Sequence, residues 1–388
     1  MCVKRAFKYR FYPTDVQAAE LSRTFGCVRL VYNMALEARA TAWSSERRRV
    51  TYSDTSAMLT AWKKTEALGF LRDVSSVPLQ QALRHLHSAF GNFFANRARH
   101  PRFKSCKRSR ASAEYTRSAF RWRDGRLSLA KMAAPLAIVW SRPLPDGSEP
   151  STVTVSRDSA GRWFVSMLVE TDVDHYPPAA SVVGLDVGLS ALVTLSTGEK
   201  IPNFQHEKKC RERLARAQRA LARKQKGSAN RQKARRRIAL LSARIADRRR
   251  DTLHKLSTRL VRENQAIVIE DLNVRGMLRS RSLARAISDA SWSELRRMLI
   301  YKAAWYGREV ITIDRWFPST KTCSACGQRV EELPLKARAW TCSCGAVHDR
   351  DVNAAKNVLA AGLAVAACGD GVRPTRRQPA RQPSQPPV

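Results

Sequence analysis

Val182-Val183-Gly184-Leu185-Asp186 is an apolar run closed by a carboxylate, and it turns through Gly188 into a second run from Leu192 to Leu195. A short, unbroken apolar stretch without alternation reads as a strand buried on both faces. The same construction recurs as Ala266-Ile267-Val268-Ile269-Glu270 and as Val310-Ile311-Thr312-Ile313-Asp314. Helical periodicity separates these runs: Leu256 and Leu260 lead into the second, and a helix from Trp292 to Tyr306 precedes the third. Strands alternating with helices specify a layered α/β unit. A last helix is expected from Asp351 to Ala367.

Outward from this unit, Lys208 to Arg250 holds eighteen Lys or Arg and only Glu212 and Asp247 as acids, with an interruption at Gly227-Ser228. Leu214, Leu221, Ile238, Leu241 and Ile245 form an apolar seam, so a long basic helical hairpin is expected. So few acids leave it without the ion pairs that support an isolated charged helix, and phosphate contacts explain it better than a solvated face. His175 to Ala180, with Pro177-Pro178, reads as a linker from an upstream unit. There Val3, Phe7, Tyr9 and Phe11 alternate with Lys4, Lys8 and Arg10, a strand with one core face and one basic face. Thr14 or Asp15 caps a helix reaching about Trp43, and helices follow near Asp54 to Leu68 and Pro78 to Arg97. Asp124-Gly125 marks a hairpin between Phe120-Arg123 and Leu127-Leu129, and Val153 to Val169 supplies a second. An antiparallel sheet or small barrel that recruits the first strand across the helices is the expected result. Gly369 to Val388, rich in Pro, Gln and Arg, reads as a disordered tail.

The 388 residues carry 70 Lys and Arg against 33 Asp and Glu, a net charge of +37, with 44% apolar residues. That balance excludes an ordinary neutral metabolic enzyme: the self-repulsion calls for a polyanion, while the apolar content supports a folded core. Nucleic acid is the expected partner. A membrane is the rival surface, but the longest uncharged apolar run, Val358 to Cys368, is too short to span a bilayer. No charged-then-apolar leader opens the chain, so a cytoplasmic protein is expected. Candidate nucleic-acid contacts are Lys4, Lys8, Arg10, Arg102, Lys104, Arg121, Arg123, Lys224, Arg235 and Arg236. Phe120 and Trp122 offer a stacking platform, although core packing is the commoner role of such aromatics.

Acids are scarce, so Asp186, Glu270 and Asp314 at the ends of apolar strands are informative. Any one of them can cap a turn or pair with arginine. As a set they can converge, and divalent cations would then hold them together against mutual repulsion. Two Mg²⁺ ions about 4 Å apart, with Mn²⁺ as a substitute, would suit phosphodiester hydrolysis. Cys323, Cys326, Cys342 and Cys344 run CxxC, fifteen residues, then CxC, each half followed by glycine. This spacing suits a structural Zn²⁺, and the shortened second half leaves open whether His348 replaces a thiolate. Cys2, Cys27, Cys106, Cys210 and Cys368 have no partner motif, and His85 and His87, without acidic neighbours on their helix, read as structural.

Four stretches together, GLDVGL (Gly184 to Leu189), IEDLNVRGM (Ile269 to Met277), FPSTKTCSACG (Phe317 to Gly327) and DRDVNAAKN (Asp349 to Asn357), resemble TnpB. TnpB is the transposon-encoded RNA-guided nuclease of insertion sequences, related to type V CRISPR effectors. The resemblance implies a multidomain α+β chain whose RNase H-like (RuvC) domain carries three catalytic acids, here Asp186, Glu270 and Asp351. It demotes Asp314 to a supporting role and leaves Asp271 and Asp349 as neighbours. It further implies a wedge domain (1–14 and 111–178) with an inserted helical recognition lobe (15–110). The nuclease segments would be 179–315 and 347–368, flanking a zinc-binding target nucleic-acid module at 316–346, with the tail at 369–388. Transposon-derived guide RNA and target DNA are the implied partners, and Mg²⁺-dependent cleavage beside a short adjacent motif is the implied activity. The alternatives are a guide-directed repressor that does not cut and a guide-independent nuclease or transposition accessory protein.

Overall fold

The computed structural model describes residues 2–107, 109–334 and 336–367, so the tail expected from Gly369 lies outside the described residues. The chain divides into two units. One comprises Met1–Val173 with Arg216–Ala243; the other comprises Asp174–Ala215 and the residues from Arg244 onward.

In the first unit, β1 (Cys2–Phe11) pairs antiparallel along its whole length with β7 (Trp163–Asp172). Its alternation is realised: Val3, Phe7, Tyr9 and Phe11 are buried while Lys4 and Lys8 are exposed. With β2 (Ala111–Thr116), β5 (Ile138–Val139) and β6 (Pro150–Arg157) it completes a sheet of order β2-β6-β7-β1-β5. Three helices, α1 (Asp15–Glu46), α2 (Tyr52–Trp62) and α3 (Ser76–Phe94), lie in sequence between β1 and β2 and share its core. Thr14 starts α1 with a capping box, exchanging 3.2 Å hydrogen bonds with Gln17. The helix predicted near Asp54 to Leu68 is shorter: α2 ends at Trp62, and a 3-10 helix at Glu66–Arg72, containing the poor helix former Gly69, takes its place. The hairpin of β3 (Phe120–Arg123) and β4 (Arg126–Leu129) turns on Asp124 and Gly125, whose φ values of 51° and 70° suit a type I′ turn. Phe120 and Trp122 pack against the core, so the core role prevails over a stacking platform.

The basic hairpin forms as α4 (His206–Ala222) and α5 (Ala229–Glu263), with Gly227 at φ +89° in the turn. Its tip, Arg216–Ala243, clusters with the first unit.

The second unit is built on β8 (Val182–Asp186), β9 (Ala191–Leu195), β10 (Lys200–Pro202), β11 (Ala266–Glu270) and β12 (Glu309–Ile313). Their order is β10-β9-β8-β11-β12; β8, β11 and β12 are parallel, and β9 and β10 extend the sheet by antiparallel pairing. Short helices α6 (Val274–Met277) and α7 (Ala284–Ala290) precede α8 (Trp292–Tyr306). A small hairpin, β13 (Ala339–Thr341) and β14 (Val347–Asp349), leads into α9 (Arg350–Ala367). Leu185 and Ile269 face Leu256 and Leu260 of α5 and Leu295 and Leu299 of α8. Val268 and Ile313 pack in a separate cluster with Val358 of α9. Two covered faces explain why β8 and β11 carry unbroken apolar runs, while β12, at the edge of the sheet, exposes Thr312.

Helix α9 lies unusually close to the sheet. A Cβ on Gly184 would meet the Ala355 carbonyl oxygen and stand 2.6 Å from the Leu359 amide nitrogen, and one on Gly362 would stand 2.6 Å from Val268 Cγ2. Gly26, inside α1, has nothing within 4 Å of such an atom. Gly184→Ala is therefore expected to destabilise by about 1–3 kcal/mol through overpacking, whereas Gly26→Ala stabilises by about 0.5–1 kcal/mol through chain entropy. Urea unfolding midpoints measured side by side should move in opposite directions.

Candidate active site

Asp186 and Glu270 are the last residues of adjacent parallel strands, and the pairing of Leu185 with Ile269 keeps them in step. Such strands lie about 4.8 Å apart, and alternation puts both acids on the face of Gly184 and Val268, the face that α9 covers. Asp351 stands in the first turn of α9, one turn before the Ala355 that touches Gly184. Glu270 and Asp351 therefore lie near enough for their charges to act on Asp186. Burial pushes the Asp186 carboxyl up to about 7, and the charges of Glu270 and Asp351 add to that rise against Arg350 and Lys200. Burial also raises Glu270, opposed by a 2.6 Å hydrogen bond from Ser319 Oγ. Asp351 is flanked by Arg338 Nη1 at 3.6 Å and Lys200 Nζ at 3.7 Å, and Lys200 also pairs with Asp349 at 2.7 Å.

The neighbouring acids have other occupations. Asp314 accepts the Trp316 amide at 2.7 Å in a turn. Asp271 lies between Arg296 and Arg315, whose hydrogen bonds hold its carboxyl below the usual range. Asp349 caps α9, accepting the amides of Asp351 and Val352 at 3.1 Å each.

Among the described residues, the cysteines are the one set of three or more metal-ligating side chains whose donor atoms all lie within 4.8 Å of one another. Sulfur separations of 3.8 Å for Cys323–Cys344 and 3.7 Å for Cys326–Cys342 match the edge of a tetrahedron with a Zn–S bond of about 2.3 Å, which is about 3.8 Å. The donor set fits a structural zinc ion. The CxxC knuckle closes with Gly327 N–H donating to Cys323 O, and the CxC knuckle closes one residue sooner, with Gly345 N–H donating to Cys342 O. A shorter turn thus absorbs the missing residue. His348 is not among the four clustered side chains, and its Nε2 lies 3.0 Å from Cys323 Sγ.

Sequence reasoning missed Ser319, Lys200 and two asparagines. Asn353 and Asn357, one turn apart on α9 and both buried, donate to the Thr322 carbonyl; Asn357 also reaches Ser319 O at 2.7 Å, and Asn353 accepts the Ser324 amide at 2.8 Å. They clamp the loop that carries both Ser319 and Cys323. Their spacing within DRDVNAAKN was the available signal.

The basic candidates are spread widely. Lys4 pairs with Glu170 at 3.3 Å. Lys8 lies over the Phe164 ring at 3.9 Å, and Arg10 lies over the same ring at 5.2 Å. Lys104 sits 3.9 Å over Tyr32, and burial lowers its pKa. Arg102, Arg121, Arg123 and Lys224 are exposed. Arg235 and Arg236 line a groove of about 990 Å³ with Arg157 and Lys233. His85 does have an acidic neighbour, Glu114 at 3.1 Å, which comes from β2 and so is invisible in the helix pattern. No described helix is long and apolar enough to cross a membrane.

The family model OrfB_IS605, described as "Probable transposase", matches residues 165–281, and a "Cas12f1-like, TNB domain" model matches 292–358, spanning the cysteine cluster. A "Helix-turn-helix domain" model matches 1–48, where the structure has strand β1 and the single long helix α1. A Streptomyces pristinaespiralis protein provisionally named an RNA-guided DNA endonuclease is 69% identical over 96% of this chain and 93% of its own length. InsQ of Escherichia coli (strain K12), with the same provisional name, is 36% identical over 97% of each chain. The fold resembles the protein in a cryo-EM structure of a Cas12f1–sgRNA–target DNA complex, with a TM-score of 0.57 at 11% identity, over 92% of this chain and 98% of that one. Identity sustained over nearly the full length of these relatives shows that the chain belongs to the TnpB family, the OrfB proteins of IS605-type elements.

Proposed function

We propose that this chain is an RNA-guided DNA endonuclease that hydrolyses target DNA beside a short adjacent motif, with Asp186, Glu270 and Asp351 as its catalytic acids. The convergence of these carboxylates, in a chain of net charge +37, carries the reading. Crowded, partly buried like charges are costly, and an all-oxygen donor set suits a hard cation such as Mg²⁺ or Mn²⁺. Bound there, such ions activate water and stabilise the leaving oxygen. The chain supplies the rest. Asp186, Glu270 and Asp351 would hold the cation, Ser319 orients Glu270, and Lys200 and Arg338 offset the charge of Asp351.

The mixed sheet with acids on adjacent strand ends supports a RuvC-like domain of RNase H type. The sheet of the first unit, with helices between β1 and β2, supports the wedge domain and its recognition lobe. Guide RNA and target DNA are the partners that the basic hairpin and the groove beside Arg235 and Arg236 suit, because basic surface reads backbone and A-form shape while base pairing carries the sequence. The names of the relatives point the same way. A repressor that does not cut is disfavoured because all three acids are present.

With its RNA bound, Asp186→Ala should keep target binding and lose cleavage by about a thousandfold, as expected when roughly 4 kcal/mol of charge stabilisation disappears. Undiminished cleavage would falsify the assignment. In the metal-free protein the folded Asp186 carboxyl titrates near 7, above the value of about 3.9 for an unfolded aspartate. The folded state therefore holds an extra proton between those values, and stability falls as pH rises from about 4 to about 7. Asp186→Asn should remove that slope in urea midpoints compared at about pH 5 and pH 8; parallel slopes would contradict the charge crowding. Metal analysis should find one zinc per chain, less in Cys323→Ser. Slackening the loop that aims Ser319 at Glu270 should slow that variant about tenfold, the loss of one charge-assisted hydrogen bond.

A further inference from the structure

A cleft of about 330 Å³ opens where β8 and β11 end against α8. Its walls are apolar, chiefly Leu185, Ile269, Leu272, Leu295 and Leu299, and Glu270 stands at its edge. Trp292 lines it at 6% exposure, yet the indole Nε1–H has no hydrogen-bond partner. The buried Nε–H of Arg296, another lining residue, also lacks one, although its Nη1 is engaged by Asp271 at 2.6 Å. Buried donors are ordinarily satisfied, so two orphans on residues that line one apolar cleft call for a ligand that brings acceptors with it, met by a small turn of each side chain. Arg297, largely exposed and also lining the cleft, suits an anion attached to that ligand.

A flat group with apolar faces, acceptors on its edge and a phosphate attached is a nucleotide. Every nucleobase carries a ring nitrogen or carbonyl oxygen that can accept. An aliphatic chain would fill the cleft and leave both donors unmade. We propose that the cleft receives one unstacked nucleobase of the DNA strand being cut, adjacent to the scissile phosphate, with Trp292 Nε1 and Arg296 Nε donating to it. The proposal rests on the endonuclease reading and deepens it. Holding one base here anchors the strand beside Glu270, the one acid at the cleft's edge, and it demands an unpaired substrate, because a stacked and paired base cannot enter. Contacts of this kind tolerate any base, consistent with sequence choice resting on the RNA.

The test uses the full chain with its guide RNA and target DNAs in which a single abasic site is walked through the cleaved region. One position within about two nucleotides of the cut should slow cleavage about tenfold, the low end of what one stacked base contributes. Trp292→Phe, which keeps an aromatic ring and removes the donor, should slow cutting of intact DNA severalfold and add nothing on DNA abasic at that position. Ile300→Trp, placed at the exposed rim, should obstruct entry and slow intact DNA only, which covers the case in which Trp292→Phe fails to fold. Equal rates across the abasic series, or variant effects that persist unchanged on abasic DNA, overturn the base pocket and leave the endonuclease reading standing. Wild type that cuts no intact target overturns both.

Discussion

Helix α9 can rest on the sheet only because positions 184 and 362 carry no side chain. With Gly184 against Ala355 and Gly362 against Val268, the helix axis comes near enough that its first turn meets the ends of β8 and β11. Asp351 thereby comes near enough for its charge to act on Asp186, although 80 residues lie between Glu270 and Asp351. One methyl group at either glycine would push on backbone or on a buried valine, neither of which can yield in a packed interior.

The same helix ties the cysteine cluster to the acids. Asn353 and Asn357 hold the Thr322 carbonyl, which places Ser319 on one side of the clamp and Cys323 on the other. Buried side-chain amides are committed by their hydrogen bonds, since leaving them unpaired costs more than the bonds return. A metal that orders the knuckles therefore also orders the loop whose Ser319 hydroxyl meets Glu270. By this route a metal in the cysteine cluster would bear on Glu270 without touching it.

Charge is spent unevenly over the chain. Most of the excess Lys and Arg lies on exposed surfaces, above all along α4 and α5, where phosphate can replace the missing counter-ions. Around the acids the cations are few and specific: Lys200, Arg338 and Arg350. Arg350 and Lys200 oppose the rise that burial, and then the charges of Glu270 and Asp351, impose on the Asp186 carboxyl.

Local pattern determined a great deal from the sequence alone. Unbroken apolar runs announced the β8, β11 and β12 strands, alternation announced β1, Asp124-Gly125 announced its hairpin, and cysteine spacing announced a metal cluster, because each depends on residues close together in the chain. Convergence was another matter. Periodicity selected Asp314 as the third acid, since it closes a strand just as Asp186 and Glu270 do; only resemblance to a family pointed to Asp351, which opens a helix. In the tertiary structure Asp314 accepts an amide in a turn, while Asp351, on the closely seated α9, lies near enough for its charge to act on Asp186. Ser319, Lys200, the asparagine clamp and the cleft at Trp292 were hidden for the same reason. Each is defined by a partner distant in the chain, and such contacts are set by how helices and sheet pack, which no local period encodes.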